Sequence, residues 1–341
     1  MLVARLPEAF KVEYLDWPIP EISDDQVLLK NIYLGVCASD IQIYHGKHKY
    51  MKFPLVMGHE ASCEVVKVGK NVTDFNIGDR VVLQPQVVCG KCFPCSIGRF
   101  NVCEHLSVIG VHQDGCACEY IAVNPWNLHK IPDMLPYDVA ALVEPLAVGV
   151  GSVKRAPNYK GANIVIVGAG TIGNLTAQAA KAMEAGKVMI TDIIDKKLNI
   201  AERCGVDYCI NTSNISLKDA IDKCFGSFRK ADIIIDCAGS TDSFNSIMAA
   251  ARKRSSIVIS GNYKEPVQFD VPVIQRSEIN IIGHMMYIKE DFQDALQMLN
   301  NRQIASDMII TQHFPLSQYG EAFKFIDEHP QDTMKVLIDI A

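Results

Sequence analysis

The chain has 341 residues, 49% of them hydrophobic and 21% charged, with a formal net charge of −6. That composition describes a folded protein with room for two sizeable cores, and the acidic balance argues against a surface built to neutralise nucleic-acid phosphates. No apolar run approaches the roughly 20 residues of a membrane span. Residues 1–8 lack an unbroken apolar signal core, so a cytoplasmic address is expected. In that compartment the twelve cysteines serve as metal ligands or buried thiols more often than as disulfides.

The first half predicts short β segments. Residues 27–34, 63–68, 80–83 and 120–123 are rich in β-branched side chains and bounded by turn residues such as Gly69, Gly78 and Gly115. They predict an antiparallel, barrel-like body whose loops carry the chemistry. An early loop holds Cys37-Ala38-Ser39-Asp40 and, after a short basic segment, Gly58-His59-Glu60. Thiolate, imidazole and carboxylate are the ligand types zinc accepts, and a catalytic site uses three of them and leaves a fourth position open. Between these motifs Lys47, His48, Lys49 and Lys52 form a segment without a carboxylate. It either steers an anionic substrate toward the metal or is a solvated loop.

Cys89-Gly90-Lys91-Cys92-Phe93-Pro94-Cys95, with Cys103 eight positions later, sits on a loop expected to lack regular structure. Four cysteines this close can fill all four positions around a zinc ion, which leaves none for substrate and makes the ion structural. Its affinity becomes folding energy for a loop without a core of its own. A nucleic-acid-binding zinc ribbon would need a basic face, and Lys91, Arg99 and Glu104 are too few and too mixed to make one. Cys116, Cys118, His105 and His112 are expected to be packed thiols and surface imidazoles.

From about Gly161 the pattern changes to apolar strand, glycine turn and helix, repeated. Strands are expected at 163–167, 187–191, 232–236 and 256–260, with helices at 171–183 and from Asp195 to Cys204. Such alternation builds a parallel sheet covered on both faces. Gly168-Ala169-Gly170-Thr171-Ile172-Gly173 follows a buried strand and opens a helix, the context the dinucleotide fingerprint requires. Gly168 permits the turn, Gly170 lets the backbone approach a pyrophosphate, and Gly173 lets helix and strand pack closely. Asp192 ends the next strand, about 20 residues on, where a carboxylate accepts from ribose hydroxyls and repels a 2′-phosphate, so NAD is favoured over NADP. Lys197 is placed to reach the same ribose, and Asn262 to face the nicotinamide. After a last strand at 279–283, helices around 291–299 and 319–327 and a closing strand at 334–340 return the chain to its first half.

Taken in order, Cys37 with Ser39-Asp40, Gly58-His59-Glu60, the four-cysteine lobe, Glu144-Pro145 and the glycine motif resemble the zinc-dependent medium-chain alcohol dehydrogenases over nearly the whole chain. Within them the polyol and sugar-acid branch is most similar, through Cys95-Ser96-Ile97-Gly98 and the run from Val108 to Gly115. The resemblance implies an α/β protein with a Rossmann doubly wound parallel sheet at 147–285 and a β-rich, GroES-like catalytic domain at 1–146 and 286–341. It implies one catalytic and one structural zinc, with NAD taking hydride from a secondary alcohol of a polyol or sugar acid. Cys37, His59 and Glu144 then ligate the catalytic ion. Glu60 is either a fourth ligand or an exchange partner, and its added negative charge is expected to keep it off the ion once substrate binds. Ser39 passes the proton outward. The family carries a histidine five residues after the zinc cysteine where this chain has Gln42, which cannot take a proton, so His45 or water must finish the relay. A homodimer or homotetramer is implied, with the strand near 279–285 as a contact. A threonine-type dehydrogenase and a non-catalytic regulatory protein that keeps both sites are the rivals.

Overall fold

The computed structural model describes residues 1–341 and divides into two compact units, Met1–Glu144 with Ile310–Ala341, and Pro145–Ile309. The chain thus returns to its first unit at Ile310, later than residue 286. Helix Lys289–Asn300 buries Phe292, Ala295, Met298 and Leu299, and it belongs to the second unit.

In the first unit, strand Val27–Gly35 is the hub. One edge pairs antiparallel with Glu60–Val68 along its length; the other is shared, Val27 to Lys30 taking Tyr120–Val123 and Tyr33 to Gly35 taking Lys335–Asp339. Arg80–Leu83 and Leu128–Lys130 extend one side and Ile310–Pro315 the other. The hub strand serves three partners because its two backbone edges are both paired, and Val27, Leu29 and Leu34 on it are wholly buried. Each such side chain contributes roughly 1.5–3 kcal/mol. Leu2–Glu8 and Lys11–Asp16 form a separate hairpin.

The second unit is a six-stranded parallel sheet in the order Tyr208–Asn211, Lys187–Asp192, Asn163–Val167, Ile233–Asp236, Ser256–Ile259, Asn280–Gly283. The central strand is buried at every position, as a sheet covered on both faces demands. The strand order reverses between Asn163–Val167 and Ile233–Asp236, which is where folds of this type bind ligand. No helix is long and apolar enough to cross a membrane.

Candidate active site and metal centres

Strand geometry gathers the first motif. Gly35 ends its strand two residues before Cys37, and Glu60 begins the neighbouring strand directly opposite Gly35. One ligand atom each from Cys37, His59 and Glu60 therefore lie within 4.8 Å of one another, with His59 and Glu60 buried. Gly35 makes the room: a Cβ there would overlap Glu60 Oε2.

Two residues outside the expected set hold this cluster. Asp40, wholly buried in the first turn of helix Ala38–Tyr44, accepts the Cys37 N–H on Oδ2 at 2.9 Å and sets Oδ1 3.5 Å from His59 Nδ1. A buried carboxylate this close to Nδ1 favours a proton on that nitrogen. Lys335, 2% exposed, donates from Nζ to Glu60 Oε1 at 2.8 Å, Glu60 Oε2 at 2.5 Å and Val36 O at 2.9 Å. Burial works against its charge, but Glu60, Cys37 and Glu144 outweigh that and raise the amine above its ordinary value. Glu144 is itself buried, in the first turn of helix Val143–Arg155, outside the three-residue cluster but near enough to act on Lys335.

The donor set fits a divalent cation. Burial opposes charge on His59, yet Asp40 and Cys37 overcome it and raise the imidazole well above its ordinary value. A thiol, an imidazole and a carboxylate with ligand atoms this close, two of the three buried, are a donor set that a divalent cation satisfies.

In the four-cysteine lobe the Sγ–Sγ separations are 3.4 Å for Cys92–Cys95, 3.8 Å for Cys92–Cys103 and 3.5 Å for Cys89–Cys103. Sulfurs each about 2.3 Å from a central zinc stand about 3.8 Å apart, so the cage needs little adjustment. The lobe is more regular than expected, with a short helix at Phe93–Ser96 and a 3-10 turn at Phe100–Val102. Backbone N–H groups outside these turns point at the sulfurs, Cys89 N and His105 N reaching Cys103 Sγ at 3.4 and 3.3 Å. The amides of Lys91 and Cys92 pull Cys89 down to about 6, while burial and its neighbours push Cys95 up to about 12. Thiols this crowded cannot all ionise without a cation among them. Cys116 and Cys118 are buried thiols outside both clusters.

At the sheet reversal, Gly170 caps helix Thr171–Ala182 with no side-chain hydrogen bond, and nothing lies within 4 Å of where its Cβ would be. An open, uncapped helix N-terminus of ten or more residues suits a pyrophosphate. A Cβ on Gly173 would overlap Gly168 O, so that glycine serves packing. Buried Asn174, not foreseen, donates to Ala169 O at 2.7 Å and holds the loop. Asp192 accepts from Ala169 N on Oδ2 at 2.7 Å and from Ile193 and Ile194 N on Oδ1 at 2.8 and 3.0 Å. Three backbone donors fix the carboxylate against the glycine turn and leave about one acceptor position for a ligand. Lys197 is half-buried in the first turn of the next helix, and Asn262 is exposed, its backbone packed on Gly239.

Comparison with known proteins agrees with this geometry. Residues 23–133 match the alcohol dehydrogenase GroES-like domain and residues 171–301 the zinc-binding dehydrogenase domain. The sorbitol dehydrogenase of Halalkalibacterium halodurans is 32% identical over 325 residues, 94% of this chain and 93% of that one. The chain belongs to the zinc- and NAD-dependent medium-chain alcohol dehydrogenases. L-galactonate-5-dehydrogenase of Escherichia coli K12 is 31% identical, over 95% of this chain and 94% of that one. An alcohol dehydrogenase of Escherichia coli CFT073, solved with NADH, superposes with a TM-score of 0.93 at 29% identity, covering 100% of this chain and 99% of that one.

This dehydrogenase is a zinc-dependent polyol-type oxidoreductase with a GroES-like unit and a Rossmann sheet. For the sulfur cage the expected behaviour is structural. Substituting Cys95→Ser lowers bound zinc by one per chain and the melting midpoint by more than about 5 °C, because the lobe has no apolar core to replace the metal. Elemental analysis alongside thermal denaturation checks both.

Proposed function

We propose that the enzyme oxidises a secondary alcohol of a sugar acid, a hexonate such as L-gulonate or L-galactonate, in preference to an uncharged polyol. The observation that carries this reading is the cationic loop joining two residues of the metal cluster: Lys47, Lys49 and Lys52 are exposed between Cys37 and His59. Their field attracts a carboxylate toward that loop. Of the two relatives, L-galactonate-5-dehydrogenase supports a sugar acid and sorbitol dehydrogenase the wider class of polyhydroxylated alcohols.

In this reading Cys37, His59 and Glu144 hold the catalytic zinc, and Cys89, Cys92, Cys95 and Cys103 the structural one. Bound zinc supplies Lewis acidity at the alcohol oxygen, and NAD supplies the hydride acceptor. Glu60 stays paired with Lys335, so its charge is already balanced and the thiolate and second carboxylate suffice to neutralise the metal. Ser39, half-buried in the first turn of its helix, takes the substrate's proton on its hydroxyl and passes it outward. His45 does not suit the end of that relay, since its Nε2 is engaged by Asp327 Oδ2 at 2.8 Å and its ring stacks on Phe10. Water beyond Gln42 finishes it.

Gly168, Gly170, Thr171, Ile172 and Gly173 receive the pyrophosphate, Asp192 and Lys197 the adenosine ribose, and Asn262 the nicotinamide end. Replacing Asp192 with alanine is expected to narrow the preference for NAD over NADP by roughly one to two orders of magnitude, since the 2′-phosphate no longer meets a fixed carboxylate. Comparing kcat/KM for the two cofactors measures it. The reading includes a homodimer or homotetramer in the cytoplasm. Its supports are the open sheet edge Asn280–Gly283, flanked by exposed Phe269, Val271, Ile281 and Met285, and twelve free cysteines.

A screen of zinc-loaded protein with NAD over hexonates, polyols and amino alcohols tests the assignment. NADH formation fastest with a hexonate is expected. Selective turnover of threonine would replace the substrate class, and cofactor binding without turnover of any alcohol would make the protein a sensor.

A further inference from the structure

Two histidines that the zinc sites do not use converge beside the metal cluster. The loop carrying His112 is pressed onto Gly58, the neighbour of His59: a Cβ on Gly110 or Gly115 would overlap Gly58 O. Backbone bonds from Gly115 N to Val56 O at 2.7 Å and from Cys116 N to Gly58 O at 2.9 Å lock it there. His48 comes from the other side, on the loop between Cys37 and His59. The ring of Tyr50 lies 6.3 Å from His48 and 6.4 Å from His112, with the Lys49 ammonium 5.5 Å from its centre. Burial and then His112 lower His48, whose ring also feels Asp40 and His59. Burial lowers His112 as well.

Burial thus favours the neutral form of both rings, in which one nitrogen donates and the other accepts. His112 Nδ1 accepts the Val108 N–H at 3.0 Å, which places its proton on Nε2 and gives the exposed side of the ring a donor. His48 Nδ1 is buried and has no hydrogen-bond partner in the protein. A neutral donor and acceptor pair does not suit an anion, but it matches vicinal hydroxyls, which both give and take a hydrogen bond.

We propose that His48 and His112 are the specificity-determining residues that bind the hydroxyl groups adjacent to the reacting carbinol of a polyhydroxylated substrate. The inference rests on the dehydrogenase reading and assigns its substrate pocket. Both residues act in binding, so their loss raises KM and spares kcat.

The test is steady-state kinetics of the zinc-loaded holoenzyme with L-gulonate, sorbitol and propan-2-ol, for wild type, His112→Ala, His48→Ala and His112→Gln. Each alanine variant is expected to raise KM for the hydroxylated substrates about tenfold, at least about fivefold more than for propan-2-ol, with kcat within about twofold. His112→Gln keeps a donor near the Nε2 position and holds KM within about threefold of wild type. Equal shifts for all three alcohols, or a fall in kcat at constant KM, would overturn the histidine pair while leaving the enzyme assignment intact. A wild type that forms no NADH from any of them overturns the dehydrogenase reading itself. Exposed His112 makes a folding failure in its variants unnecessary to invoke, and zinc content confirms an intact metal cluster.

Discussion

Replacing Cys37 or His59 with alanine is expected to lower kcat/KM by about three to four orders of magnitude. Loss of Lewis-acid assistance costs several kcal/mol of barrier, and each 1.36 kcal/mol is about tenfold. Bound zinc should fall by one per chain while the four-cysteine lobe keeps its ion. The cause is local, because the thiolate and imidazole are two of the three proposed ligands, and Glu60, opposite Gly35, is held by Lys335 and does not replace them. His59→Ala also leaves Asp40 Oδ1 buried without its present neighbour, 3.5 Å away. Kinetics and elemental analysis on the same preparations check the pair of effects; a variant that loses zinc but keeps turnover would refute a metal role in catalysis.

Lys335→Met carries the largest expected effect on stability, about 3–5 kcal/mol, because it strands the wholly buried Glu60 carboxylate and the Val36 carbonyl together. The double variant Glu60→Gln with Lys335→Met removes the orphaned charge and should recover at least half of the loss. The folded-state amine is raised above the ordinary lysine value. Its contribution is thus fully present below that value and is lost only as pH climbs through the raised one. Denaturant melts of wild type and Lys335→Met should keep a constant separation through neutral pH and converge only in strongly alkaline buffer.

The parts of the fold that were legible in the chain are those coded over short distances. Strand Asn163–Val167 shows itself as an unbroken apolar run, and the glycine turn follows it directly. The cysteine lobe is legible for the same reason, four ligands within fifteen positions. Lys335 is not legible, because 275 residues separate it from Glu60 and a lysine opening an apolar strand reads as an exposed edge. Asp40 was in view, but a carboxylate in the first turn of a helix is ordinarily a cap; only the fold shows that its second oxygen faces His59. Helix Ala38–Tyr44 itself escapes pattern reading, being barely two turns long and β-branched at Ile41 and Ile43. The late return at Ile310 is hidden because helix Lys289–Asn300 carries no dinucleotide motif, although its apolar face packs in the second unit.

The most direct test of the metal assignment is anomalous scattering at the zinc edge from crystals of the zinc-loaded protein. The account predicts two peaks per chain, one enclosed by the sulfurs of Cys89, Cys92, Cys95 and Cys103 and the other bonded to Cys37 Sγ and a ring nitrogen of His59. A peak in the cysteine lobe with none beside Cys37 and His59 would contradict it.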